Sequence, residues 1–118
     1  MKQTMTYLLL GLFASAFCLG EAKPQPITLH AYVIDSACAF TKDLKKPISE
    51  SCARECAKAG SPLVILSDAG EIYWPISEKT PAEGQNSRLL PFAGKKVNVT
   101  GRVYSRGNAK AIVIDRIE

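Results

Sequence analysis

One histidine, His30, is all that the sequence has of the commonest general base, and no serine or cysteine stands beside a recognisable base elsewhere. A hydrolytic triad has nothing to be built from, and no enzyme is expected. Long apolar runs are also missing. The run from Tyr7 to Phe13 falls well short of the ~20 residues that a transmembrane helix needs. A strong excess of one charge is absent too: the formal net charge is +4. The basic residues are spread over Lys42–Lys46, Lys95-Lys96, Arg102–Arg106 and Lys110. They solubilise several faces rather than line one nucleic-acid groove. With 118 residues there is no room for a second domain.

What is present begins with an export pattern. Lys2, the apolar run and the small residues after it read as a cleavable signal peptide over residues 1–22, leaving a mature domain over 23–118. Cleavage fits after Ala16 or after Ala22, and the second is preferred; Cys18 survives only the first. Acylation of Cys18 is disfavoured by Phe17, which stands where a lipoprotein signal wants a small residue. The expected location is periplasmic or extracellular, with no stable membrane insertion after cleavage. Export also argues against nucleic acid as a partner. In an oxidising compartment cysteines are read first as disulfide partners. Three remain after Ala22, which is an odd number.

Lys23-Pro24-Gln25-Pro26 reads as an extended lead-in. Ile27 to Asp35 alternates with the period of a strand. Cys38 to Lys46 has no usable period and reads as a loop. Pro47 to Ala59 reads as a helix, because Ile48, Cys52, Cys56 and Ala59 fall on one stripe, the stripe expected to face the core. Ser49 or Ser51 is available to cap it, and Gly60 with Pro62 to stop it. Leu63–Leu66 and Glu71–Ile76 form a hairpin around Gly70, with Pro75 marking an edge or a bulge. Ser77–Asn86 is polar and reads as a mobile loop. Ser87–Gly94 reads as a short helical turn whose Leu89, Leu90 and Phe92 plug the core. Lys95–Tyr104 and Lys110–Ile117 form a second hairpin, with Gly101 at a bend.

Strand, cysteine-bearing helix, hairpin, short helix, hairpin is the order of a small OB-fold-like Greek-key barrel of five strands, mainly β. One helix lies between the first and second strands and a short one between the third and fourth. Val33–Cys38, Cys52–Pro62, Asp68–Tyr73 and Phe92–Gly101 together also resemble secreted bacterial OB-like domains with a C…CxxxC cysteine cluster. That resemblance implies the same fold and compartment and brings no activity with it.

The chemistry should lie between Cys38 and Cys56. On a helix, Cys52 and Cys56 stand one above the other, an awkward geometry for bonding each other directly. Cys38 is the natural third member. A disulfide from Cys38 to Cys52 or Cys56 would close a loop of about 14 or 18 residues and stabilise by roughly 3 kcal/mol, leaving one thiol buried or half-buried. Alternatively the three thiolates, or two of them with His30, would suit copper or zinc. The C-x-x-x-C spacing is similar to that of the copper-delivery proteins of cytochrome oxidase assembly, but those are thioredoxin-like and no parallel βαβ pattern occurs here. A redox pair would more usually be spaced by two residues. Asp35 is either an oxygen ligand or a strand-end cap, and the cap is preferred. Tyr73 and Trp74 mark a possible ligand face, one of the two pointing into the core.

The sequence thus points to an exported binding module for an unidentified protein or small ligand. Its site is a soft-metal or thiol-dependent cluster of Cys38, Cys52 and Cys56. The alternative is a disulfide-stapled interaction domain that binds a protein or glycan through its barrel face, with neither metal nor catalysis.

Overall fold

A computed structural model describes residues 23–43 and 48–118. The expected signal peptide over 1–22, with Cys18, and Pro47 lie outside the described residues. Five strands form a closed barrel: β1 (Gln25–Asp35), β2 (Leu63–Ser67), β3 (Ile72–Pro75), β4 (Lys96–Arg106) and β5 (Ala109–Ile117). Their order around the barrel is β1-β2-β3-β5-β4, with β3 and β5 parallel and every other pair antiparallel. This is the OB arrangement expected from the element order.

Closure depends on β1 serving two neighbours. Residues 25–32 pair with β4 and residues 31–35 with β2. The first half alternates between exposed and half-buried positions, whereas Ala31–Asp35 is buried throughout. Gly101 is where β4 bends: its register against β5 shifts between Thr100 and Gly101. A Cβ there would stand 2.2 Å from the Val113 carbonyl oxygen, so only glycine allows the strands to approach this closely. Pro75 falls where the pairing of β3 with β2 has ended and its pairing with β5 continues, so its missing N–H interrupts no ladder to β2.

The barrel is filled by Val33, Ile65, Val99 and Ile112, and one end is plugged by Leu89, all without exposed surface. Leu89 ends α3 (Asn86–Leu89), which continues into a 3-10 turn over Leu90–Phe92. The polar stretch after β3, expected to be a mobile loop, contains no helix or strand before Asn86 and is linked by side chains. The Ser77 hydroxyl accepts the Glu83 N–H (2.9 Å), and Glu78 receives Arg102 and the Tyr104 hydroxyl. The two bonds to Glu78 span 24 and 26 residues, so composition alone could not show them.

Two helices connect β1 to β2, and here the structure corrects the sequence twice. Of the stretch from Cys38 to Lys46 expected to be loop, residues 38–41 belong to α1 (Ser36–Thr41). Asp35 starts it: its Oδ1 accepts the Cys38 N–H at 2.9 Å, satisfying a donor that the first turn leaves unpaired. A six-residue helix has too few turns to display a period. α2 (Glu50–Lys58) is capped by Ser49, whose hydroxyl accepts the Cys52 N–H at 3.3 Å. Its core-facing stripe is Ala53 and Ala57, and the expected stripe through Cys52 and Cys56 lies one residue away, rotated by about 100°. Alanine has no side chain beyond Cβ, so the helix settles closely onto β1. Gly94 makes the same approach from below, with an added Cβ falling 2.4 Å from the Glu50 Cα.

Candidate thiol site

At the β2 end of β1 the chain leaves the barrel through Asp35, and α1 and α2 rise on either side. Cys38 is half-buried on α1; Cys52 is exposed and Cys56 half-buried on α2; all three are free thiols. The disulfide considered from Cys38 to Cys52 or Cys56 is not formed. Between the helices lies a mostly apolar cavity of about 260 Å³, lined by Ile34, Asp35, Cys38, Ile48, Cys52 and Ala53 among others. Cys38 and Cys52 face it from opposite helices.

Asp35 is the buried anion of the site, with 3 % of its surface exposed. Besides the Cys38 N–H on Oδ1, its Oδ2 accepts a hydrogen bond from the Ser61 hydroxyl. Burial raises its pKa, but the bonds from Ser61, Cys38 and Ala37 outweigh burial, and the net shift is downward. The carboxylate in turn acts on the thiols. Burial pushes the Cys38 thiol up, and Asp35, Cys52 and Cys56 push it further. Cys56 is also raised, by burial, by Cys52 and by Asp35. Cys38 and Cys56 are thus both raised, first by burial and then by neighbours that include Asp35. As they stand, no three His, Cys, Asp or Glu side chains among the described residues are arranged to hold a metal ion.

His30 is not brought to this group. It is exposed on the part of β1 that pairs with β4, opposite Asn98, about 16 Å of extended strand away from Asp35.

The two aromatics of β3 divide as adjacent strand residues must. Tyr73 is buried, 3 % exposed, and Trp74 faces solvent at 39 %. The Tyr73 hydroxyl donates to Glu71 (2.5 Å), which also receives Lys110 Nζ (2.7 Å). Burial and that carboxylate push the Tyr73 pKa up to about 12. Trp74 does not stand alone. Phe40 of α1, 65 % exposed, stacks against it with ring centroids 6.3 Å apart and planes 26° from parallel. A shallow cavity of about 520 Å³ beside the pair is lined by Glu71, Ile72, Asn108 and Lys110 as well. Phe40 escaped the sequence analysis. Its one signal was a large aromatic in a polar stretch two residues after Cys38.

No protein-family model, curated protein or solved structure matches this chain. The site's own chemistry therefore carries the functional argument.

Proposed function

We propose that this chain is an exported binding module whose Cys38, Cys52 and Cys56 thiols take a soft cation. The observation that carries this reading is the placement of Cys38 and Cys52 on one cavity with the buried carboxylate of Asp35, with Cys56 one turn further along α2 and all three thiols free. Thiolates that repel one another and Asp35 when bare are held together by a cation, which reverses the sign of each interaction. Their raised pKa values keep Cys38 and Cys56 protonated at neutral pH, which is unlike the activated thiolate that exchange chemistry uses.

The donor set favours copper(I) over zinc. Both Asp35 oxygens already accept hydrogen bonds, one from backbone and one from Ser61, and His30 lies far along β1. That leaves sulfur alone. Three soft ligands suit a low-coordinate copper(I) ion better than zinc, which takes four ligands in a tetrahedron.

The test is the intact mass of the exported, unreduced protein under native and denaturing conditions, with thiol alkylation and a metal assay on the same sample. The expected result is bound copper, and three alkylatable thiols once it is stripped. A mass lower by two hydrogens, with one alkylatable thiol and no metal, would overturn the proposal. It would leave the second reading, a disulfide-stapled domain that binds a protein or glycan through its barrel face. The Phe40–Trp74 pair favours that alternative, since two touching, exposed aromatics make a surface suited to a partner.

A further inference from the structure

Phe40 and Trp74 are the exposed large apolar side chains among the described residues, and they touch one another. A single exposed aromatic is ordinary, but two brought together from α1 and β3 are a surface that the fold assembles. Both rings line the cavity of about 520 Å³, which falls within the range of about 300–1,000 Å³ usual for small-ligand sites. Trp74 also lines a second cavity, of about 370 Å³, with Pro62, Leu63, Pro75, Gln85 and Ser87. It therefore borders both hollows, and a ligand longer than one ring has room to run across it.

The charge of this surface narrows what it takes. Glu71 and Lys110 are the charged side chains of the first cavity, and they cancel, with Lys110 Nζ donating to Glu71 at 2.7 Å. No charged side chain among the described residues lines the second cavity. A phosphate, sulfate or carboxylate would meet no unpaired cation here, and an ammonium group no unpaired anion. Hydrogen-bonding capacity remains. Lys110 keeps N–H donors beyond the one given to Glu71, and the Glu71 oxygens keep lone pairs beyond those taken by Lys110 and the Tyr73 hydroxyl. Asn108, at the turn between β4 and β5, adds an amide donor and acceptor, and Gln85 and Ser87 add uncharged polar groups to the second cavity. A hydroxyl both donates and accepts, so a row of hydroxyls can bind between a paired carboxylate and ammonium without upsetting their balance.

We propose that Trp74 and Phe40 are the platform of a binding site for a neutral oligosaccharide. A pyranose ring has the matching pattern. Its faces are C–H groups, which rest on the electron-rich faces of aromatic rings, and its rim is hydroxyls. Trp74 receives the face of one sugar, and Phe40 extends the apolar area beneath it. Glu71, Lys110 and Asn108 take the hydroxyls of that sugar, and Gln85 and Ser87 those of the next sugar across Trp74. None of these residues is a thiol, so the inference goes beyond the thiol site and does not depend on its state. It commits the barrel face to one occupant.

Trp74 is the only tryptophan, so its fluorescence reports the site without interference. Reduced protein is titrated with neutral tetrasaccharides of glucose, mannose, galactose, xylose and N-acetylglucosamine, with tetragalacturonate as the anionic probe and a proline-rich peptide as the protein-like one. The expected result is that at least one neutral tetrasaccharide shifts the Trp74 emission to the blue and shields it from acrylamide, while the anion and the peptide do neither. By calorimetry, Trp74→Ala should weaken that binding about tenfold or more, and Phe40→Ala by a smaller factor. Both side chains are exposed, so the urea midpoints of the two variants should stay close to that of the unaltered protein. Glu71→Gln uncovers the Lys110 charge and should admit tetragalacturonate where the unaltered protein refuses it. Cys52→Ser, which removes a thiol of the cluster, should titrate with sugar as the unaltered protein does, so the two sites stand or fail separately. No response to any neutral tetrasaccharide, a preference for the anion or the peptide, or sugar binding that survives Trp74→Ala would overturn the proposal.

Discussion

Asp35 and Ser61, 26 residues apart, are joined by a hydrogen bond from the serine hydroxyl to Oδ2, while Oδ1 holds the Cys38 N–H. One carboxylate thus ties the start of α1 to the chain leaving α2, and after burial it adds to the raised pKa of Cys38 and Cys56. Much of the site's behaviour follows from this one residue.

Asp35→Asn keeps an oxygen to cap α1 but removes the charge. Asp35 contributes to the raised pKa of Cys38, after burial, so the variant's Cys38 should titrate lower. The expected outcome is faster alkylation of Cys38 at neutral pH in the variant, with the rate–pH profile displaced to lower pH. This is followed by mass spectrometry of the Cys38 peptide. An unchanged profile would mean that burial and the neighbouring thiols set the Cys38 thiol without Asp35.

The same carboxyl gives stability a pH dependence whose sign follows from its lowered folded-state pKa. A group depressed on folding stabilises above its unfolded pKa, near 4, and that contribution is lost as the pH falls through the lower folded value. Thermal melts from neutral to strongly acidic pH should therefore show the unaltered protein losing its advantage over Asp35→Asn below about pH 4. A difference between the two that persists undiminished at the acid end would contradict this assignment.

Gly101→Ala places a methyl group against the Val113 carbonyl and the Ile112 side chain, and backbone cannot yield as a flexible side chain does. The expected loss is about 3 kcal/mol or more in urea unfolding, at the upper end of overpacking effects. Gly84→Ala is the control. A Cβ there meets nothing, and its effect should stay within about 0.5 kcal/mol.

The orientation of α2 is tested by enlarging one position of each stripe. Ala53→Leu, buried against the barrel, should destabilise by about 1–3 kcal/mol. Cys52→Leu, on the exposed flank, should change stability by no more than about 0.5 kcal/mol. The reverse order would restore the cysteine stripe as the one that faces the core.

How much of this was legible follows from the range of each interaction. The strands, both hairpins and the cap at Asp35 are written in near neighbours: alternation every second residue, Gly70 between two apolar runs, a carboxylate three residues before the N–H that it accepts. The face of α2 was not, since Cys52/Cys56 and Ala53/Ala57 share the same spacing of four, and periodicity cannot tell two equal stripes apart. Only the approach of Gly94 and β1 selects the smaller side chains for the interior.

By itself, then, the sequence determined five strands of a small barrel, their order along the chain and the segment that carries the cysteines, because patterns of two and of three to four residues act within a single element. The tertiary structure decided which helix face is buried, that His30 stands apart from the thiols, and that Phe40 meets Trp74. Those outcomes depend on surfaces brought together from distant parts of the chain, and no local period encodes them.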